Sequence, residues 1–168
     1  MPESLPPYAE LLGLRTERGE DGTLLWVMPF REEVVGRPGF LHGGAIAGLL
    51  EFAAFGTLYE ALGAGASASP INVSVDFMRG GTDHDTFASA VVTRLGSRIA
   101  NVEAHAWQQD RAKPIAAARM NLMVRRNPLS PSGEREEPRS GEGRGGEVGH
   151  TQTSPQAERR PLSPTLSP

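Results

Sequence analysis

Between residues 43 and 62 apolar positions recur with almost no polar relief, and the only charge before Tyr59 is Glu51. That spacing predicts a helix apolar over most of its circumference, to be covered on nearly every side. Pro38 discourages helix ahead of the run and Gly63-Ala64-Gly65 stops it, so the helix starts near His42 or Gly43 and ends near Leu62. Downstream the period becomes two. Ile71, Val73, Val75 and Phe77 alternate with Asn72, Ser74, Asp76 and Met78, and residues 86–94, 99–108 and 112–124 continue the pattern as strands. Upstream, residues 8–12 read as a short helix, and 14–17 and 23–29 as a hairpin around Arg18-Gly19-Glu20-Asp21-Gly22, with a loop over 30–41. The separators Gly80-Gly81, Leu95-Gly96-Ser97 and Gln109-Asp110-Arg111 are short, which favours antiparallel neighbours, because a parallel crossover needs about a dozen residues. The expected architecture is α+β, with one long central helix wrapped by a curved antiparallel sheet of five or six strands. One sheet cannot enclose such a helix, so a second subunit is expected to complete the covering.

The chemistry gathers where the loop becomes helix, in Arg37-Pro38-Gly39-Phe40-Leu41-His42-Gly43-Gly44. A helix start offers up to four backbone N–H groups without intrahelical partners, together with the positive end of the macrodipole. Glu51 lies two turns further in, too far to cap that end. At about 100° per residue it falls at the border of the face made by Ile46, Leu49, Leu50, Ala53, Thr57 and Ala61. A lone helical Glu is ordinarily salt-bridged or reaches water. What sets Glu51 apart is its company, a His and two Gly just ahead of a solitary acid.

His42-Gly43-Gly44 with an acid nine positions after the His resembles the active-site segment of the hotdog-fold acyl-CoA thioesterases, in the phenylacetate-pathway and 4-hydroxybenzoyl-CoA branch. The similarity runs from about residue 8 to residue 125. It implies the hotdog fold, with dimers that pair sheets edge to edge, sites at the subunit boundary and, in many members, tetramers. It also implies hydrolysis of an acyl-CoA, aryl or medium-chain, to free acid and CoA. By that resemblance the Gly43 N–H binds the thioester carbonyl oxygen and Glu51 acts as general base or nucleophile. His42 completes the catalytic segment, as a loop-fixing hydrogen-bonding residue rather than the base, and Gly44 adds a substrate contact. Where many relatives carry Asn or Gln six residues before the His, this chain has Gly36. A second carbonyl-orienting contact is then missing or supplied elsewhere.

Composition narrows the partners. The net charge is −3; residues 1–125 carry 11 basic and 14 acidic groups and the remainder 6 of each, so neither part has the basic excess that nucleic-acid binding requires. The absence of Cys rules out disulfides, thiolate metal sites and a Cys nucleophile. Met1-Pro2-Glu3-Ser4 lacks a basic start followed by an apolar run, and no window is expected to span a bilayer, which points to a cytoplasmic protein with no membrane partner. Residues 127–168 hold 7 of the 14 Pro and no aromatic residue; so little apolar surface cannot offset the ordering entropy, and the segment is expected to be a disordered tail after a domain over 1–126.

Other candidates are weaker. His84, in Thr82-Asp83-His84-Asp85, lacks the further donors a metal wants, and no metal or redox cofactor is implied. Ser74 and Ser97 have no His–acid partners placed by spacing. Arg94 and Arg98 flank a turn and are candidates for the CoA phosphates, as charge-assisted donors. Asn72 opens the strand after the helix, where many relatives carry a polar residue near the acyl pocket. Two other functions stay open: a non-catalytic acyl-CoA binding or sensing module, kept alive by Gly36, and an enoyl-CoA hydratase. Hydratases of the fold usually pair an Asp with a His five residues later, and no such pair stands in the loop.

Overall fold

The apolar run forms one 20-residue helix, α2 (Gly43–Leu62), laid across a six-stranded antiparallel sheet. The computed structural model describes residues 5–126; the expected tail, 127–168, lies outside them. Before α2 come α1 (Pro7–Leu11), β1 (Arg15–Arg18), β2 (Leu24–Met28), a 3-10 turn (Glu32–Val34), β3 (Val35–Arg37) and β4 (Phe40–Leu41). After it come β5 (Ala66–Phe77), β6 (Thr86–Leu95), β7 (Ile99–Trp107) and β8 (Ala116–Arg126). The sheet order is β1-β2-β6-β7-β8-β5, and β3 pairs with β4 separately. This is the hotdog arrangement.

The alternation along the strands explains why the helix lies so close. Ala88, Ala90, Ala100, Ala104, Ala106, Ala116 and Ala118 are buried under α2, and their small side chains give it a flat floor. Into that floor pack Ile46, Leu49, Leu50, Ala53 and Leu58, all buried. Two helical glycines take the neighbours on the other flank. A β-carbon on Gly48 would stand 2.9 Å from Tyr8 Cε1, and one on Gly56 only 2.6 Å from Trp26 Nε1. At its end, Gly63 adopts φ 73° and its N–H bonds back to the Tyr59 carbonyl at 3.0 Å, closing the helix.

Four expectations need correction. The loop over 30–41 contains the short β3 and β4, and β5 begins at Ala66 rather than at Ile71. The short separator at Gly80-Gly81 does not make β5 and β6 neighbours: β5 pairs with β8, Phe77 opposite Ala116, and stands at the sheet edge. Pro70 fits that place, since an edge strand tolerates a missing N–H, and the register shifts between Pro70 and Asn72. Finally, α2 is by length and composition apolar enough to cross a membrane, with a mean hydropathy of 1.4 over its best window. In the fold its sheet-facing stripe is buried against the strands.

Candidate functional site

His42 forms the N-cap of α2, with extended backbone at φ −71°, ψ 132°. Its Nδ1 accepts the Gly44 N–H at 2.9 Å, so in the neutral ring the proton sits on Nε2. The next two amides are also occupied, since Ala45 N–H and Ile46 N–H both bond the His42 carbonyl, at 3.0 and 3.2 Å. The Gly43 N–H is thus the one amide of this first turn with no acceptor among the described residues. The substrate contact expected of Gly44 is not available to its N–H, which is taken up by His42.

The loop behind this donor is held from two sides. Leu41 N–H bonds the Gly81 carbonyl at 2.9 Å and His42 N–H the Val34 carbonyl at 2.8 Å, which fixes where the helix starts. Gly36 has a steric reason: a β-carbon there would lie 2.8 Å from the His42 Cα. No side chain fits at 36 while His42 holds this position, so a second carbonyl contact does not come from there.

Glu51 is eight residues beyond Gly43, about 12 Å along the axis and about 80° around it. Around the helix it lies nearly opposite the buried Ala53, and it is half-buried. Among the described residues it has neither an ion-pair nor a hydrogen-bond partner. On β5, apolar side chains stand open: Ile71, Val73 and Phe77 are 40–55% exposed. On its own the chain does not cover this side of its central helix.

The remaining candidates stand elsewhere. Asn72 pairs in register with Asn121, on the sheet face turned away from α2. There Asn121 Nδ2 donates to Asn72 Oδ1 at 2.6 Å and Asn101 Nδ2 donates to Asn121 Oδ1, an amide ladder over β5, β8 and β7. Polar side chains around it, including Ser74, Glu103 and Arg119, line a shallow hollow of about 290 Å³. The single chain therefore does not bring Asn72 together with Gly43 and Glu51. Arg94 and Arg98 are exposed at the β6–β7 tip, beside the strand end that pairs with Met123. Measured along β5 that is eight residues from Phe77, about 26 Å from the helix start.

Two further residues flank the helix start. The Arg37 guanidinium lies 4.2 Å from the centroid of the Phe40 ring, on the loop leading to His42. The Phe77 ring lies against Gly43, with Cζ 3.3 Å from the place of a β-carbon there. Strand alternation marks Phe77 only as a core position; its role as the open end of an edge strand needs the sheet order.

Comparison with known proteins bears on this geometry. The family model of the thioesterase superfamily matches residues 38–115, which run from β4 through α2 and β5, β6 and β7 and stop just before β8. A protein of Chromobacterium violaceum is 33% identical, with a TM-score of 0.58, over 74% of this chain and 85% of that one. A mutant thioesterase of Pseudomonas aeruginosa is 27% identical, TM-score 0.60, over 70% and 84%. A Bacillus halodurans protein whose structure holds CoA is 22% identical, TM-score 0.68, over 75% and 83%. No curated protein matches the chain.

Proposed function

The chain belongs to the thioesterase superfamily, and from that premise we propose that it hydrolyses an acyl-CoA to free acid and CoA at a site shared by two copies. The observation that carries the reading is the pair of unsatisfied groups on one helix, the Gly43 N–H and the Glu51 carboxylate. A thioester carbonyl becomes an oxyanion on attack, and a preorganised donor at that oxygen typically contributes ~10²–10³ in rate. The cap at His42 and the backbone bonds that hold Leu41 and His42 support this role for Gly43.

Glu51 of the same chain is about 12 Å away along the axis, too far to serve a carbonyl seated on Gly43. A second copy resolves the mismatch. β5 is a twelve-residue edge strand with Ile71 and Val73 exposed, the kind of edge that pairs with another chain. Antiparallel pairing about a two-fold axis sets two helices side by side in opposite directions, so the start of one approaches the middle of the other. Glu51 of the partner subunit then faces Gly43, and the open flank of each α2 is covered. The dimer is thus part of the proposal, and a tetramer would be built from it.

In the reaction Glu51 takes a proton from water as the water oxygen bonds to the carbonyl carbon. The carbonyl electron pair moves to oxygen and is held at the Gly43 N–H. Collapse of that oxyanion breaks the C–S bond, and the CoA thiolate receives the proton from Glu51. His42 positions the donor and takes no proton. CoA in the Bacillus halodurans relative supports the choice of thiol. The test is release of free CoA, followed with a thiol reagent over aryl and fatty acyl-CoAs. Binding without release across the panel would favour the non-catalytic module. A single turnover in ¹⁸O-water that labels Glu51 would replace the base by a nucleophile.

A further inference from the structure

Phe77, the last residue of β5, pairs with Ala116 and so lies on the sheet face that carries α2. Its ring crosses the helix start, 3.3 Å (Cζ) and 3.5 Å (Cε1) from the place of a Gly43 β-carbon, yet the residue is 55% exposed. The ring is not part of the buried core, to which the neighbouring Ala116 and the partly buried Val75 belong. A β-carbon on Gly43 would touch the ring closely, so the ring sits directly beside this residue. The ring and the free N–H therefore make one surface.

Two kinds of neighbour flank that surface. On the loop side stand the Arg37 guanidinium, stacked on Phe40, and the His42 ring. On the strand side Phe77, Val75 and Val73 follow one another on one face of β5, apolar throughout. A thioester held by its carbonyl at Gly43 has two unlike arms, a phosphate-bearing pantetheine arm and an acyl arm. Charge and polarity sort them: phosphates fit the side of Arg37, the acyl group the side of β5.

We propose that Phe77 determines acyl-group selectivity, its ring forming the wall on which acyl groups bulkier than acetyl rest next to the reacting carbonyl. The proposal rests on the thioesterase reading, whose subsite it specifies. An acetyl group is too short to cover the ring, whereas a hexanoyl or benzoyl group removes it from water, and such apolar contacts are worth roughly tenfold or more in discrimination.

The test compares wild type, Phe77→Ala and Phe77→Leu on acetyl-, hexanoyl- and benzoyl-CoA, with Kd values for the non-hydrolysable thioether analogue of each. In Phe77→Ala the benzoyl-to-acetyl and hexanoyl-to-acetyl ratios should each fall at least about fivefold, in kcat/KM and in analogue affinity alike. Phe77→Leu should keep most of the hexanoyl ratio and lose benzoyl preference; it carries the test should Phe77→Ala fail to fold or assemble. A smaller change in the ratios, or an equal loss for all three acyl groups, overturns the assignment. A wild type that binds the analogues but hydrolyses nothing refutes the hydrolase reading, and the Kd ratios still decide on Phe77. A wild type that binds none of them refutes both.

Discussion

Replacing His42 separates a helix cap from a catalytic base. His42 Nδ1 accepts the Gly44 N–H at 2.9 Å, so His42→Ala leaves that amide without its protein partner at the start of α2. Loss of a side-chain N-cap costs about 1 kcal/mol, within a range of roughly 0.5–2. For the roughly 120 described residues the unfolding entropy near the midpoint is about 0.25 kcal/mol/K, so Tm should drop about 4 °C. His42→Asn supplies a shorter acceptor that also caps well, and Tm should return to within about 1–2 °C of wild type. Activity should follow the cap. His42→Asn should keep kcat within about tenfold, while removal of a true general base typically costs 10²–10⁴. The assays are thermal denaturation and kcat on one good acyl-CoA. If His42→Asn melts like wild type yet loses more than about 10² in kcat, His42 handles a proton and the capping account is wrong.

Glu51→Gln should abolish turnover while the protein still folds and binds acyl-CoA; activity within about tenfold of wild type would remove Glu51 from the chemistry. Gly56→Ala places a β-carbon 2.6 Å from Trp26 Nε1; overpacking of about 1–3 kcal/mol should outweigh the helix-propensity gain of about 1, and an unchanged or raised Tm would contradict that balance. A double Ile71→Lys, Val73→Lys change on the β5 edge should give monomers without activity, read by sizing chromatography, and an active monomer would break the link between assembly and site. Removal of residues 127–168 should leave assembly and hydrolysis as they are, the composition there offering no core; a Tm lowered by several degrees would show that the segment packs.

Much of this fold is legible in periodicity. The unbroken apolar run sets both ends of α2, because Pro38, the glycines at its start and Gly63 act locally. The alternation in β6, β7 and β8 reflects one face turned to a helix, again a local signal. The misses are where tertiary contacts decide. β3 and β4 have three and two residues and are anchored through Val34 and Gly81. The first residues of β5, Ala66 to Pro70, have weak strand propensity and owe their form to pairing with β8. For the site, the spacing of His42, Gly43 and Glu51 points to α2 but does not by itself show which amide stays free. That depends on the His42 rotamer. Family likeness associates Asn72 with the acyl pocket, whereas its alternation with Val73 assigns it to the sheet face turned away from α2.

The central claim is a cleft made of Gly43 from one chain and Glu51 from another, and subunit mixing tests it directly. Gly43→Pro removes the oxyanion N–H and Glu51→Gln removes the base, so each protein alone should be nearly inactive. Mixed at equal amounts with verified subunit exchange, half of the dimers are heterodimers, and each of those has one site with both groups intact. About one quarter of wild-type activity should return. Mixed dimers that stay as inactive as either parent would mean the site is built within one chain, and the two-copy mechanism would have to be abandoned.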